Sequence, residues 1–141
     1  MNKKGPIIVI EDDLDDQALL SDALKDLKYD NEIRYFVSGE AVLTYLNNTK
    51  ERPFIILSDI NMPELSGLEL RNKIFEHENL RMKCIPYLFF TIAASQNAVV
   101  NAYSKSAQGF FVKPASYEKL LIMLRKIIDY WQECRSPNYI E

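Results

Sequence analysis

The chain is poor in soft metal ligands and in cross-linking chemistry. Among 141 residues it has two cysteines, Cys84 and Cys134, and one histidine, His77. Two cysteines build neither a disulfide framework nor a zinc cluster, and reduced thiols in a cytosolic protein are the simpler reading. Glycine and proline are sparse too, at 4 and 6, so neither a low-complexity nor a fibrous chain is indicated. No repeat or linker breaks the sequence, and its length fits one domain with its own core. No apolar run approaches a membrane span. The stretch "PIIVI" at 6–10 is too short for a signal-peptide core, so a cytoplasmic, soluble protein is expected. A net charge of −3 gives no general reason to hold nucleic acid or an anionic membrane.

What is present alternates between two periods. "PIIVI" (6–10), "EIRYFV" (32–37), "PFIILSD" (53–59), "IPYLFFT" (85–91) and "GFFV" (109–112) are short apolar runs, read as buried strands. Between them lie helical patterns over about 14–27, 38–48, 64–76 and 95–106, and after them one over about 116–131. The first helix is expected to turn Leu14, Leu20, Ala23, Leu24 and Leu27 inward. The last carries Leu120, Leu121, Leu124, Ile127, Ile128 and Trp131 on one face. Strand and helix repeated five times predict an α/β fold, a parallel sheet covered on both faces with right-handed crossovers.

In such doubly wound sheets chemistry gathers beyond the carboxyl ends of the strands. Those ends carry Glu11-Asp12-Asp13 after the first strand, Asp59 after the third, Thr91 at the fourth and Lys113 after the fifth. Clustered carboxylates repel unless a cation joins them. Oxygen donors without histidine or cysteine suit a hard divalent ion such as Mg²⁺ (or Mn²⁺), which in turn invites phosphate. Asp59 could then be a metal ligand, a base or a nucleophile. Lys113 could pair with a phosphoryl oxygen or with the empty carboxylate, and Thr91 could donate its hydroxyl to another oxygen.

"VIEDD", "LSDINMPELSG", "FFT" and "FFVKP", in this order and spacing, resemble the receiver domain of two-component response regulators (CheY-like). The resemblance runs from about residue 6 to 131 and implies the flavodoxin-like three-layer (βα)5 fold, with strand order 2-1-3-4-5. Matched position by position, it makes Asp59 the phosphoacceptor and Glu11 and Asp12 the acidic pair at the metal. It makes Asn61 a ligand through its backbone carbonyl, Thr91 the switch hydroxyl, Lys113 the phosphoryl-binding lysine and Phe110 the aromatic switch. It also implies a cis peptide before Pro114. The implied donor is a sensor histidine kinase or histidine phosphotransfer protein. On phosphorylation, the surface of the fourth helix, fifth strand and fifth helix would change.

The chain departs from the family pattern in places. Glu11 stands where an aspartate is commoner, Phe110 lacks a tyrosine hydroxyl, and no acid lies two residues after Thr91, where Ala93 stands. Residues 1–141 are expected to form a single stand-alone receiver, with 132–141 a short extension and no output domain. Output would then run through a downstream protein target, without direct contact to nucleic acid. The ending "KPASYEKLLIMLRKIIDYW" resembles single-domain regulators that partner bacteriophytochrome-type kinases, and Tyr130, Trp131 and Tyr139 allow a homodimer. Two alternatives stand beside this reading. One is an unphosphorylated pseudo-receiver serving as an interaction module. The other is a haloacid-dehalogenase-type phosphatase, whose nucleophile would have to follow the first strand in a D-x-D pattern that is absent. An FMN binder is discarded, because three acids after the first strand would repel its phosphate.

Overall fold

The structure, a computed structural model, describes residues 1–92 and 95–137. Five parallel strands, β1 (Ile7–Ile10), β2 (Ile33–Phe36), β3 (Ile55–Ser58), β4 (Tyr87–Thr91) and β5 (Gly109–Val112), lie in the order β2-β1-β3-β4-β5. The fold class expected from the sequence is therefore the one observed. Helices α1 (Leu14–Leu27), α2 (Gly39–Asn48), α3 (Gly67–Glu76), α4 (Glu78–Arg81), α5 (Gln96–Ser104) and α6 (Tyr117–Glu133) cover the sheet. The expected fourth and fifth helices are thus α5 and α6. The single turn α4 follows His77, whose exposed side chain accepts from the Leu80 amide.

Because successive strand side chains point to opposite faces, the continuous apolar runs build two cores at once. Ile7, Val9, Ile55, Leu57, Leu88 and Phe90 pack under α1 and α6, against Leu20, Leu24, Leu120, Leu124, Ile127 and Ile128. Ile8, Ile10, Ile56, Tyr87 and Phe89 pack on the other face, against Val42, Leu46, Leu70, Ile74 and Ala102.

Leu14 corrects the expected stripe: it is 67% exposed. It precedes Leu20 by six residues, which at ~100° per residue rotates it about 240° away from the buried face. Trp131 is half-buried, and its ring stands edge-on to Tyr130 at 5.2 Å. Tyr139 lies outside the described residues.

Helix starts follow the polar residues before them. Asp13 accepts from the Asp15 and Asp16 amides, Ser38 from Ala41, Ser95 from Ala98 and Ser116 from Lys119. Helix α3 begins at Gly67 rather than near residue 64, since Glu64 takes a left-handed φ of 66°. Ser66 and Glu69 then close a reciprocal capping box.

Candidate functional site

The register brings the strand ends together. Ile10 pairs with Ser58, so Glu11 and Asp59 leave adjacent strands side by side, and the Asp59 amide donates to the Ile10 carbonyl at 3.0 Å. Thr91 ends β4 opposite Val112, and the Lys113 amide donates to the Thr91 carbonyl at 2.7 Å. Acids, hydroxyl and lysine thereby share one sheet edge, as their places after the strands required.

Glu11, Asp12 and Asp59 each offer a carboxylate oxygen such that the three lie within 4.8 Å of one another. Glu11 is almost fully buried, and Asp59 is 9% exposed. Burial pushes the Glu11 carboxyl up to about 7, and the Asp59 charge acts in the same direction. Its hydrogen bonds from Lys113 and from the Asp13 amide oppose that shift. One Asp59 oxygen, Oδ1, accepts from the Ile60 amide at 2.7 Å. An oxygen-only cluster of this size fits a hard divalent cation and offers nothing to a softer one.

Lys113 is paired with Glu11 Oε2 and lies 3.5 Å from Asp16 Oδ2. Among the described residues its ion-pair partners are these two and not Asp59. Asp16 was legible only as a first-turn helix acid. Its second part appears because the Asp13 cap sets the start of α1, directing the first turn toward β5.

Asn61 sits exposed two residues beyond Asp59, in the loop that leads to α3. Phe110 is half-buried, its ring centroid 5.9 Å from that of Phe89, so it packs with the α3-side core. The expected cis bond before Pro114 is corrected: among the described residues there is no cis peptide, so Lys113–Pro114 is trans. For an X-Pro bond trans is the lower-energy form by about 0.5–1 kcal/mol, and Lys113 reaches Glu11 from it.

Two supporting residues escaped the sequence reading. Tyr87 is fully buried, and its hydroxyl stands 2.8 Å from Ser58 Oγ and 3.1 Å from the Gly67 carbonyl. The Ser58 hydroxyl in turn donates to the Asp59 carbonyl at 2.8 Å. Gly67 is the other, pressed against that same carbonyl. A buried strand tyrosine needs a partner for its hydroxyl, which is the only signal the sequence carries for this support.

The comparisons with known proteins agree with this geometry. A family model for the response regulator receiver domain matches residues 7–125. The chain is 30% identical over 139 residues to the DNA-binding transcriptional regulator NtrC of Proteus hauseri, covering 99% of this chain but only 28% of that protein. It is 27% identical to the response regulator Rcp1 of Synechocystis, covering 94% of this chain and 92% of that one. Its fold matches the phosphorylated cyanobacterial phytochrome response regulator RcpA with a TM-score of 0.84, at 23% identity over 96% of this chain and 99% of that one. The Mn²⁺-bound form of Rcp1 matches with a TM-score of 0.78, at 24% identity over 94% and 97% of the two chains. Among the described residues, no helix is long and apolar enough to cross a membrane.

Proposed function

The chain belongs to the response regulator receiver domain family, and from that premise we propose that it is a phosphorylation switch whose acceptor is Asp59. The observation that carries this reading is the convergence of three carboxylates within 4.8 Å, with Lys113 closing the same edge. Asp59 Oδ1 is held by the Ile60 amide, which leaves Oδ2 to attack phosphorus. The P–O bond forms as the donor's P–N bond breaks, and its electron pair returns to the imidazole of a sensor histidine kinase or phosphotransfer protein.

Glu11, Asp12, Asp59 and the Asn61 backbone carbonyl would hold Mg²⁺ or Mn²⁺, which supplies charge neutralisation for the incoming phosphoryl group. Lys113 would exchange Glu11 for a phosphoryl oxygen, and the Thr91 hydroxyl would donate to another. With Thr91 drawn to the phosphate, Phe110 leaves its place beside Phe89, and the balance between two packings of α5, β5 and α6 shifts. Those elements carry exposed Val100, Tyr103, Val112, Ile122 and Tyr130, a surface suited to a downstream protein or a second copy of the chain. We place this protein in signalling and assign it no turnover of an external substrate. A cytoplasmic place of action is part of the same proposal.

Acetyl phosphate with Mg²⁺, followed by intact-mass measurement, tests the reading. One added phosphoryl group on the wild type and none on Asp59→Asn is expected. A wild type that stays unmodified overturns it.

A further inference from the structure

The sheet edge opposite Asp59 holds a buried cation that the phosphorylation chemistry does not use. Arg71, on α3, is 6% exposed. One guanidinium nitrogen, Nη2, donates to the Ser106 carbonyl at 3.0 Å, while Nε is buried with no hydrogen-bond partner. No carboxylate pairs with it among the described residues. Burial draws its pKa below the ordinary guanidinium value, and the one charge effect opposing that comes from Tyr87. A buried charge without a counter-ion is costly, so an arginine with no carboxylate beside it stands out.

Arg71 borders a cavity of about 360 Å³ between α3, α4, the approach to β4 and the end of α6. Its walls are mostly apolar, Phe75, Pro86 and Trp131 among them, and its lining includes Arg81 and Arg135 but, among the described residues, no aspartate or glutamate. The two guanidiniums share one ring: Arg71 lies 5.4 Å and Arg81 5.7 Å from the Phe75 centroid. Arg81 spends one nitrogen on the Phe75 carbonyl, at 2.9 Å. The volume falls in the range of small-molecule sites, which pair mostly apolar walls with a few convergent polar groups.

We propose that this cavity binds a small organic carboxylate: an anionic head on Arg71, completed by Arg81, and an apolar body against Phe75, Pro86 and Trp131. The head supplies the counter-charge that Arg71 lacks among the described residues. A guanidinium fork matches a planar carboxylate in two parallel bonds. The apolar walls favour an organic acid over inorganic phosphate.

Trp131 is the single tryptophan of the chain and lines this cavity. It also lines a neighbouring one with Phe111, Met123 and Tyr130, so the Arg71→Met variant is needed to assign a fluorescence change to the Arg71 cavity. The full chain is titrated with cyclohexanecarboxylate, cyclohexanecarboxamide and inorganic phosphate at constant ionic strength. A saturable change is expected with the carboxylate, at an affinity on the order of 1 mM for so few atoms. Carboxamide and phosphate are expected to bind at least about tenfold more weakly, as loss of a charge-assisted pair requires. Arg71→Met should fold, since an apolar side chain replaces an unpaired charge, and should lose the response. Should that variant not fold, wild-type NMR decides, with carboxylate-induced amide shifts expected at Phe75 and Ser106 and none at Glu11 or Asp59. Equal binding of the carboxamide or phosphate, undiminished binding by Arg71→Met, or shifts centred on Asp59 would overturn the proposal.

Discussion

A β-carbon placed on Gly67 would stand 2.0 Å from the carbonyl oxygen of Asp59, well inside any van der Waals contact. The glycine is set by that approach and not by a left-handed backbone, since no glycine of the described chain has positive φ. Its amide donates to the Ile60 carbonyl at 2.8 Å, so the first residue of α3 is clamped onto the acceptor strand's end. Gly67→Ala must push backbone against backbone. A loss of ~2–3 kcal/mol is expected, at the upper end of overpacking costs. The urea midpoint measures it, and an unchanged midpoint would show that the loop yields freely.

Lys113 and Glu11 form the most buried ion pair described, with side chains 12% and 2% exposed. Removing the lysine leaves a buried carboxylate that no longer has its cation. Because burial already holds Glu11 at about 7, protonation relieves much of the cost at neutral pH and less of it at higher pH. Near neutral pH Lys113→Met is expected to lose ~1–2 kcal/mol, less than a buried pair whose carboxylate stays charged. The double variant Glu11→Gln with Lys113→Met should lose less than the sum of the single changes, by ~1–3 kcal/mol. Additive losses in the double-mutant cycle would mean the pair is not coupled.

The strand ends were readable because a parallel sheet admits few places for chemistry, and each candidate fell directly after an apolar run. Glu11, Asp59, Thr91 and Lys113 therefore followed from period and position alone. Contacts between distant segments were not readable in the same way. Asp16 reaches Lys113 only once Asp13 has fixed the first turn of α1. Tyr87 resembles any strand aromatic until Ser58 and Gly67 are placed beside its hydroxyl. Leu14 misled because hydrophobicity was counted without its angle around the helix, and the turn α4 has too few residues to show a period. Arg71 gave no signal, since a lone arginine on an amphipathic helix reads as solvated.

The tyrosines make stability fall at alkaline pH. Burial, together with a 2.6 Å hydrogen bond to Asp129, pushes the Tyr29 hydroxyl from 10.0 up to about 12, and burial pushes Tyr87 upward as well. Each phenol ionises more readily in the unfolded chain. Stability is therefore fully present below about pH 10 and is lost as pH rises toward 12. Urea midpoints taken between about pH 9 and pH 11.5 should decline steadily, and Tyr29→Phe should shallow that decline. An identical slope in the variant would remove Tyr29 from the cause.

Divalent binding and carboxylate repulsion predict opposite effects of neutralising an acid. Without metal, Glu11, Asp12 and Asp59 hold oxygens within 4.8 Å, and the Asp59 charge acts against ionised Glu11. Asp59→Asn removes one of these charges, so the metal-free chain should gain on the order of 1 kcal/mol, or about 3 °C in Tm. With Mg²⁺ the order should reverse. A ligand present at a hundred times its Kd stabilises the folded state by ~2.7 kcal/mol, so wild-type Tm should climb with Mg²⁺ concentration. Asp12→Asn and Asp59→Asn, each short of one donor, should show most of that climb only at far higher concentrations. Thermal melts across a Mg²⁺ series at fixed ionic strength separate binding from screening. A Mg²⁺ response identical in wild type and both variants would place the ion elsewhere on the protein.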